Sequence, residues 1–544
     1  MLKDNLIKFL EESIRDNWDK KSLSDFHKRD FKYSEVGNLI LRNHEFFRNL
    51  GIKKGDKIAL LGKNSASWAV YYLSVISFGA VVVPILPDFN QDDYYHIINH
   101  SDSELLFVSE SVYKDMDHTR ISVSMAIGLE KGDLLYYSSK HRKKKYEKSF
   151  HNNYSVNRDD FSLPKIANKN LGAILYTSGT TGFSKGVMLS INSLTANIVY
   201  AHKNMPLKPG DRIVSFLPLA HAYGCAFEFL FPFTLGCHIT FLNKTPSPRI
   251  ITQAFKEIQP HLILSVPLII EKIYRKRIKP FLEKPLPNFA CKLPFLKTVI
   301  KNKIQKKLNE IFGGNFHEVV IGGAPLNAEV EKFLKTINFP YTIGYGMTEC
   351  GPLISYDNWK NHKINSVGKL VFTLEIRIAS EKPDEIPGEI LLKGENLMNG
   401  YYKNSKATKK TIDKNGWLHT GDLGTIDQDG NIYIKGRNKS LILGASGKNI
   451  YPEAIESKIN NFALIQESIV LKKEQKLTAL VYPDFQVIDK HHIKEEKLIK
   501  LLENNRQDLN KALPNYSKIS KFEIYPEEFE KTPTKKIKRY LYTY

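Results

Sequence analysis

GIKKGDKIALLGKNSASWAVYYLSVISFGAVVVPILP, residues Gly51 to Pro87, is the stretch whose reading decides the fold. A short apolar strand, a helical stretch and a second apolar run, AVVVP, follow one another, which is the rhythm of a βαβ unit on a parallel sheet. The nearly uncharged part from Ala69 to Pro87 is about long enough to span a bilayer, but Gly79, Pro84 and Pro87 interrupt it. A buried helix turning into a core strand accounts for it better.

Outward from this stretch the pattern repeats. Strand-like apolar runs stand at Glu104–Val108, Gly172–Tyr176, Arg212–Phe216, His238–Leu242, Leu262–Ser265 and Glu318–Ile321, several of them followed by helical periodicity. The fold class is therefore α/β, with a large N-terminal domain of parallel α/β sheets. Between Gly128 and Asn157 the chain turns polar and Lys-rich (KHRKKKYEKSFHNN) and reads as a surface excursion. After Lys369, short strands and turns (LEIRIAS, GEILLKG, GNIYIKG) predict a β-rich subdomain closing the large domain. YPEAIESKINN, ESIVLKKEQKLTALVYPDF and a helical stretch His492–Leu513 then make a compact α+β unit. The expected division is a large domain at 1–436, a hinge at 437–439 and a small domain at 440–544.

The chain of 544 residues exceeds what one core supports, and 42% hydrophobic with 25% charged residues is a globular composition, which excludes disordered and collagen-like classes. Cys225, Cys237, Cys291 and Cys350 are scattered without a C-x-x-C pair, against a disulfide framework or a zinc site and in keeping with a reducing cytoplasm. MLKDNLIKFLEESIRDNW has charges throughout and reads as an amphipathic helix, not an export signal. The net charge of +21 is spread over HRKKK (His141–Lys145), YRKRIK (Tyr274–Lys279), KNKIQKK (Lys301–Lys307) and the tail, with no aromatic-interleaved nucleic-acid motif. It reads first as a solvated Lys-rich surface; attraction to anionic ligands or to an anionic membrane surface is the alternative.

YTSGTTGFSKGV, Tyr176 to Val187, combines small residues for close backbone approach, hydroxyl and N–H donors, and one cation, which is what a loop around a chain of phosphates needs. It is not a Walker loop, because Ser184 and Gly186 stand where glycine and Ser/Thr are required. GYGMTECG is not a dinucleotide fingerprint either, because the third glycine falls at Glu349.

The same residues resemble the signature of the adenylate-forming (AMP-binding) superfamily, and the likeness continues in order along the chain. FLPLAHAYG (Phe216–Gly224), IGGAPLNAEV (Ile321–Val330), YTIGYGMTE (Tyr341–Glu349), GEILLKGENLMNGYY (Gly388–Tyr402), WLHTGDLG (Trp417–Gly424), IKGRNKSLILGASGKNIYPEAIE (Ile434–Glu456) and KTPTKKIKR (Lys531–Arg539) all look like family motifs. The resemblance implies that a carboxylate attacks the α-phosphate of ATP to give an acyl-adenylate and pyrophosphate, after which a thiol displaces AMP. Such chemistry rests on positioning and charge neutralisation.

Carried over by position, the resemblance implies that Ser178, Gly179, Thr180, Thr181, Gly182 and Lys185 hold the β and γ phosphates. Gly323, Ala324, Pro325 and Tyr345 would frame the adenine, and Thr348 would bond the α-phosphate. Thr177, Gly344, Gly346, Met347 and Ile434 would also belong to the nucleotide site. Glu349, with Thr180, would hold Mg²⁺. Asp422 would serve two ribose hydroxyls as an acceptor, and Arg437 would add a ribose or phosphate contact. Lys536 would act in adenylation, and Lys439 would be the hinge of a mobile lid that exchanges Lys536 for the loop containing Gly447 and Lys448. Ser184, Ser440 and Lys535 depart from the family, which usually has proline, aspartate and glycine there.

PLAHAYG followed by SVPLIIEKIY looks most like the long-chain fatty acyl-CoA synthetases, so His221 and Tyr223 are expected to line or gate an acyl tunnel, and coenzyme A is the expected acceptor. No Asp stands where amino-acid-activating relatives pair the substrate ammonium. Two alternatives stay open: transfer to an acyl carrier protein, which the basic surface would suit, and a catalytically silent nucleotide- or acyl-binding protein. The expected location is cytoplasmic, with peripheral contact at the inner face of the membrane open, and no nucleic-acid partner.

Overall fold

The computed structural model describes residues 1–544 apart from 153, 178–183, 244–246, 285–293, 444–448, 475, 533–536 and 543–544. Packing divides the chain into two compact units. The first comprises Met1–Leu326, Lys332–Glu375 and Lys393–Leu418, and the second Asn327–Glu331, Ile376–Leu392 and His419–Tyr544.

The first unit is built on an eight-stranded sheet: β1 (Lys57–Leu61), β2 (Val81–Ile85), β3 (Ser103–Val108), β4 (Met125–Gly128), β5 (Leu134–Tyr137), β6 (Leu171–Thr177), β7 (Lys185–Ser190) and β8 (Gly400–Tyr401). Their order is β8-β7-β6-β2-β1-β3-β4-β5. The centre, β6-β2-β1-β3-β4, is parallel, and β5, β7 and β8 pair antiparallel. The predicted βαβ unit is β1, helix Ala66–Phe78 and β2. Ser65 caps the helix through the Trp68 N–H, and Gly79 ends it. That helix is buried on nearly every face and all five residues of β2 are buried, which is why the segment reads as apolar without being a membrane span.

Two further sheets complete this unit. Arg212–Ser215, His238–Phe241 and Lys21–Asp25 run parallel, with Asp30–Lys32 antiparallel at one edge. Leu262–Ser265, Glu318–Ile321 and Tyr341–Ile343 form a parallel three-stranded sheet. The N-terminal segment is the expected helix, Leu6–Asp16, capped by Asn5 and buried along Leu6, Leu10 and Ile14.

The Lys-rich excursion differs from its reading as plain surface. It contains β5 and the helix Lys140–Ser149, anchored by the buried rings of Tyr146 and Phe150, which lie 6.3 and 4.9 Å from Phe46. Lysines dominate its text, but the two aromatics decide its packing.

In the second unit, Leu374–Ala379, Gly388–Gly394, Leu418–Ile426 and Ile432–Arg437 neighbour one another in a four-stranded sheet. Ile465–Lys473, Lys476–Pro483 and Lys521–Ile524 form another, against which the helices Pro452–Ile459 and Glu495–Lys511 bury Ile455, Ile459, Leu498 and Leu502 beside Val470 and Val481. Compactness thus groups the β-rich segment with the C-terminal region, where the sequence reading attached it to the large domain.

Among the described residues no helix is long and apolar enough to cross a membrane, and no cluster of three or more His, Cys, Asp or Glu side chains is arranged to hold a metal. Cys225, Cys237 and Cys350 are buried and form no disulfide with one another; Cys291 lies outside the described residues.

Candidate active site

The phosphate-loop sequence bridges β6 and β7. Thr177 pairs with Lys185 and Tyr176 with Gly186, so the two arms leave the sheet as an antiparallel hairpin. Ser178, Gly179, Thr180, Thr181 and Gly182 lie outside the described residues. Ser184, the departure from the family's proline, is buried.

The outgoing arm is held on both sides. β8 pairs with β7, Tyr401 opposite Val187, and Tyr402 N–H donates to Gly186 O at 2.8 Å while Asn399 N–H donates to Met188 O at 2.8 Å. One residue earlier, Met398 N–H donates to Glu349 O at 2.8 Å. The Tyr401 hydroxyl donates to Glu349 Oε1 at 2.8 Å, and the Lys185 ammonium sits 5.1 Å from the centre of the Tyr401 ring. Burial, with the Glu349 carboxylate beside it, pushes the Tyr401 phenol well above its ordinary pKa, so it stays a donor. Lys185 and Glu349, assigned from distant motifs, therefore meet on opposite parts of one tyrosine.

Behind the hairpin, the Tyr176 hydroxyl shares a 2.8 Å hydrogen bond with His100 Nδ1, and Tyr402 donates to Asp102 Oδ2 at 2.8 Å while Lys403 donates to Asp102 Oδ1 at 2.7 Å. Burial, reinforced by His96 and Lys403, lowers the His100 pKa and favours the neutral ring.

Thr348 and Glu349 sit half-buried in a single 3₁₀ turn, Thr348–Cys350, after the short strand Tyr345–Gly346. Gly346 is dictated by contact, because a Cβ there would lie 2.3 Å from Pro352 O. Met347 N–H closes the turn on that same oxygen at 2.9 Å. Buried Asn197, on the helix Ile191–Asn204 that follows β7, donates to Cys350 O at 3.2 Å and accepts from Leu353 N–H at 2.8 Å. The turn is thus tied to the phosphate arm from a second direction.

Gly323, Ala324 and Pro325 follow the strand Glu318–Ile321 and are exposed. Gly323 has φ +86°, a left-handed turn that glycine takes without strain. Gly344 N–H donates to Ile321 O at 3.0 Å and Gly322 N–H to Ser265 O at 3.0 Å, so these loops lie together at the carboxyl ends of parallel strands, the position where open α/β sheets place ligands. Tyr223 supports them through its 3.0 Å hydrogen bond to Val320 O. His221 precedes it, half-buried, and its Nδ1 accepts the Tyr223 N–H at 3.4 Å.

After FLPLAHAYG the helix continues as a π-turn, Cys225–Leu230, every residue of which is buried. Glu228 lies there, and its Oε2 accepts from Ser215 Oγ, Phe216 N–H and Leu217 N–H at 3.0, 3.0 and 2.9 Å. Burial pushes its pKa far up, so the side chain is held neutral.

In the second unit Asp422 is buried and is the direct cross-strand partner of Arg437, whose Nε lies 3.0 Å from Asp422 Oδ1. Ile434 is half-buried on the same strand as Arg437, and Lys439 is exposed in the 3₁₀ turn Asn438–Ser440. Gly447, Lys448, Lys535 and Lys536 lie outside the described residues.

The residues present suit a nucleotide with Mg²⁺. Glu349 offers a hard-oxygen carboxylate steadied by one hydroxyl, Lys185 supplies a cation on the ring of the same tyrosine, and Gly323, in a left-handed turn, stands exposed at a strand end. Sequence reasoning missed Tyr401, Asn197 and Glu228. Tyr401 stood inside a quoted motif, and Glu228 was signalled as the lone acid in AFEFLFPF; nothing in the text marked Asn197.

A phosphate hairpin joined to an acidic turn at the carboxyl ends of parallel strands defines a nucleotide-dependent enzyme of α/β class. The chain belongs to the AMP-binding enzyme family, whose sequence profile matches residues 10–402, while that of the AMP-binding enzyme C-terminal domain matches residues 439–542. It is an AMP-forming ligase. It is 27% identical over 586 residues to the long-chain-fatty-acid–CoA ligase FadD15 of Mycobacterium bovis, covering 98% of this chain and 94% of that one. It is 28% identical over 533 residues to the chloroplastic long-chain-fatty-acid–[acyl-carrier-protein] ligase AEE15 of Arabidopsis thaliana, covering 83% of this chain and 72% of that one. Its fold matches ATP-bound MatB from Rhodopseudomonas palustris with a TM-score of 0.77 at 22% identity, over 99% and 98% of the two chains.

Proposed function

We propose that the protein is a long-chain fatty acid–CoA ligase that works through an acyl-adenylate. The observation that carries this reading is the convergence of the phosphate hairpin and the Thr348–Glu349 turn on Tyr401. A carboxylate oxygen of the acid bonds to the α-phosphorus of ATP, the bond to the β-phosphate oxygen breaks, and pyrophosphate leaves. The coenzyme A thiolate then attacks the acyl carbon and AMP leaves.

In this proposal Thr177 to Gly182 and Lys185 bind the β and γ phosphates, and Thr348 bonds the α-phosphate. Gly323 to Pro325 and Gly344 to Met347 frame the adenine. Asp422 accepts from the ribose hydroxyls, with Ile434 and Arg437 beside it on the motif. Glu349 and Thr180 would hold Mg²⁺, which supplies charge neutralisation for the phosphates. Lys536 stabilises the attacking carboxylate, and the segment 437–439, with Lys439, serves as hinge between a domain of 1–436 and a lid of 440–544 that brings Gly447 and Lys448 in for the second step. His221 gates the acyl group.

Support for a long-chain acid comes from the names of the relatives and from the fully buried, π-turned helix that follows His221, apolar except for Glu228. Support for a carrier-protein acceptor comes from AEE15 and from the net charge of +21, which an acidic carrier would complement. Purified protein with ATP, Mg²⁺ and acids of increasing chain length, with and without coenzyme A, tests both. The expected result is pyrophosphate release with long acids and thioester only when coenzyme A is present. No pyrophosphate with any acid overturns the reading, and adenylate without thioester turns it toward the carrier protein.

A further inference from the structure

Two tyrosines converge on Gly186, on the outgoing arm of the phosphate hairpin. A Cβ there would come within 3.1 Å of the Tyr176 ring, so the ring packs against the glycine's bare α-carbon, while Tyr402 N–H donates to its carbonyl oxygen at 2.8 Å. Gly186 adjoins Lys185, the cation of the hairpin. The arm is therefore confined beside its charge, by a residue of the incoming arm on one side and by the residue after β8 on the other.

Both hydroxyls run to one short turn. His100 ends the helix Gln91–His100, β3 begins at Ser103, and His100 and Asp102 stand on either side of Ser101 between them. His100 Nδ1 shares a hydrogen bond with the Tyr176 hydroxyl and Asp102 Oδ2 accepts from that of Tyr402, each at 2.8 Å, while Lys403 donates to Asp102 Oδ1 at 2.7 Å. Buried Ser101 fixes the turn itself: its hydroxyl donates to Ile98 O at 3.0 Å and shares a 2.7 Å bond with Ser103 Oγ. Asp102 has φ +55°, a left-handed conformation that costs a side-chain-bearing residue free energy and that aspartate tolerates better than most. The surrounding bonds hold it there.

We propose that His100 and Asp102 are positioning residues for ATP: acting through Tyr176 and Tyr402, they hold the two arms of the hairpin at the spacing in which its loop and Lys185 receive the β and γ phosphates. His100 fixes the incoming arm and Asp102 the outgoing one. A loop whose exits are already set loses less freedom on closing round a ligand, so the brace shows as affinity for those phosphates and not for the rest of the nucleotide. The proposal rests on the phosphate role given to the hairpin above, but on neither the acid nor the thiol acceptor.

Equilibrium binding of ATP with Mg²⁺, and of AMP, to the full chain without acid or thiol tests it. AMP lacks the β and γ phosphates. His100→Ala and Tyr176→Phe should each weaken ATP by about fivefold, the worth of one hydrogen bond, and leave AMP within about twofold, and the double variant should be no weaker than either single one. Tyr176→Phe, the mildest change, carries the test where His100→Ala folds poorly. Asp102→Gly keeps the left-handed turn without the carboxylate and should lose ATP affinity by a similar factor, whereas Asp102→Asn, which keeps an acceptor for Tyr402, should recover most of it. Equal loss of ATP and AMP, additive losses in the His100 and Tyr176 pair, or an Asn no better than Gly at position 102 overturns the proposal. Lys185→Ala separates the brace from the reading beneath it. If that variant spares ATP, the hairpin does not hold phosphates and the brace falls with it; if it costs ATP affinity while the His100 and Asp102 variants do not, the brace alone falls.

Discussion

The Tyr401 hydroxyl and the Glu349 carboxylate are joined by a hydrogen bond of 2.8 Å, although 52 residues separate them in the chain. The Lys185 ammonium stands against the same ring, so one side chain spaces the acid from the cation.

Tyr401→Phe keeps the ring for Lys185 and removes the donor to Glu349, together with the hydroxyl's contact with Thr411. A hydrogen bond to a charged acceptor contributes about 1.5–3 kcal/mol, so pyrophosphate release should fall roughly tenfold or more, with a raised Mg²⁺ requirement and little change in thermal unfolding. Steady-state rates across a magnesium titration measure this. An unchanged magnesium dependence would remove Tyr401 from its positioning role.

Gly346→Ala forces a methyl group to 2.3 Å from Pro352 O, where backbone must move. The expected cost is about 2–4 kcal/mol of stability, read as a lower urea midpoint of the first unit. Since Met347 and Thr348 follow directly, residual folded protein should also adenylate more slowly.

Glu318 gives the first unit a pH signature. Burial raises its pKa from 4.5 to about 7, against the opposing hydrogen bonds from Tyr356 and from Trp359 N–H at 3.1 Å. The folded chain keeps a proton that the unfolded chain releases, so this contribution is complete below about pH 4.5 and is lost as pH rises to about 7. Glu318→Gln, which does not titrate, should flatten the fall in unfolding midpoint over that window. Parallel wild-type and variant curves would contradict the assignment.

Lys536→Ala should abolish acyl-adenylate formation and spare thioester formation from supplied acyl-adenylate. The two half-reactions are assayed separately, and equal loss of both would sink the assignment to the first step. Lys535→Gly, which restores the family's residue, should leave the thioester step unchanged.

Much of this architecture was legible because its signals are local. β2 and its preceding helix betray themselves by apolar runs closed by Gly79, and every strand named from the sequence is present, because continuous apolar runs are what a parallel sheet covered on both faces demands. The polar excursion was legible in charge but not in structure, since two aromatics among many lysines carry its packing. In the site, motif order supplied Lys185, Glu349 and Asp422, but not what joins them. Asn197 and Tyr401 act through partners more than 50 residues away, 153 in one case and 52 in the other, and periodicity carries no record of such pairs.

β8 has a consequence for the order in which the protein matures. The two arms of the phosphate hairpin have been synthesised once Ser190 is in place, yet the strand that flanks them is Gly400–Tyr401, more than 200 residues later. At about 5–20 residues per second, a ribosome needs roughly 10–40 s to cover that gap. A nascent chain that already displays the nucleotide signature therefore lacks the hydroxyl that bonds the Glu349 carboxylate, and the joining of acid and cation through Tyr401 is a late event, near the end of the first unit. Shortened products ending before Gly400 would carry the signature without the catalyst.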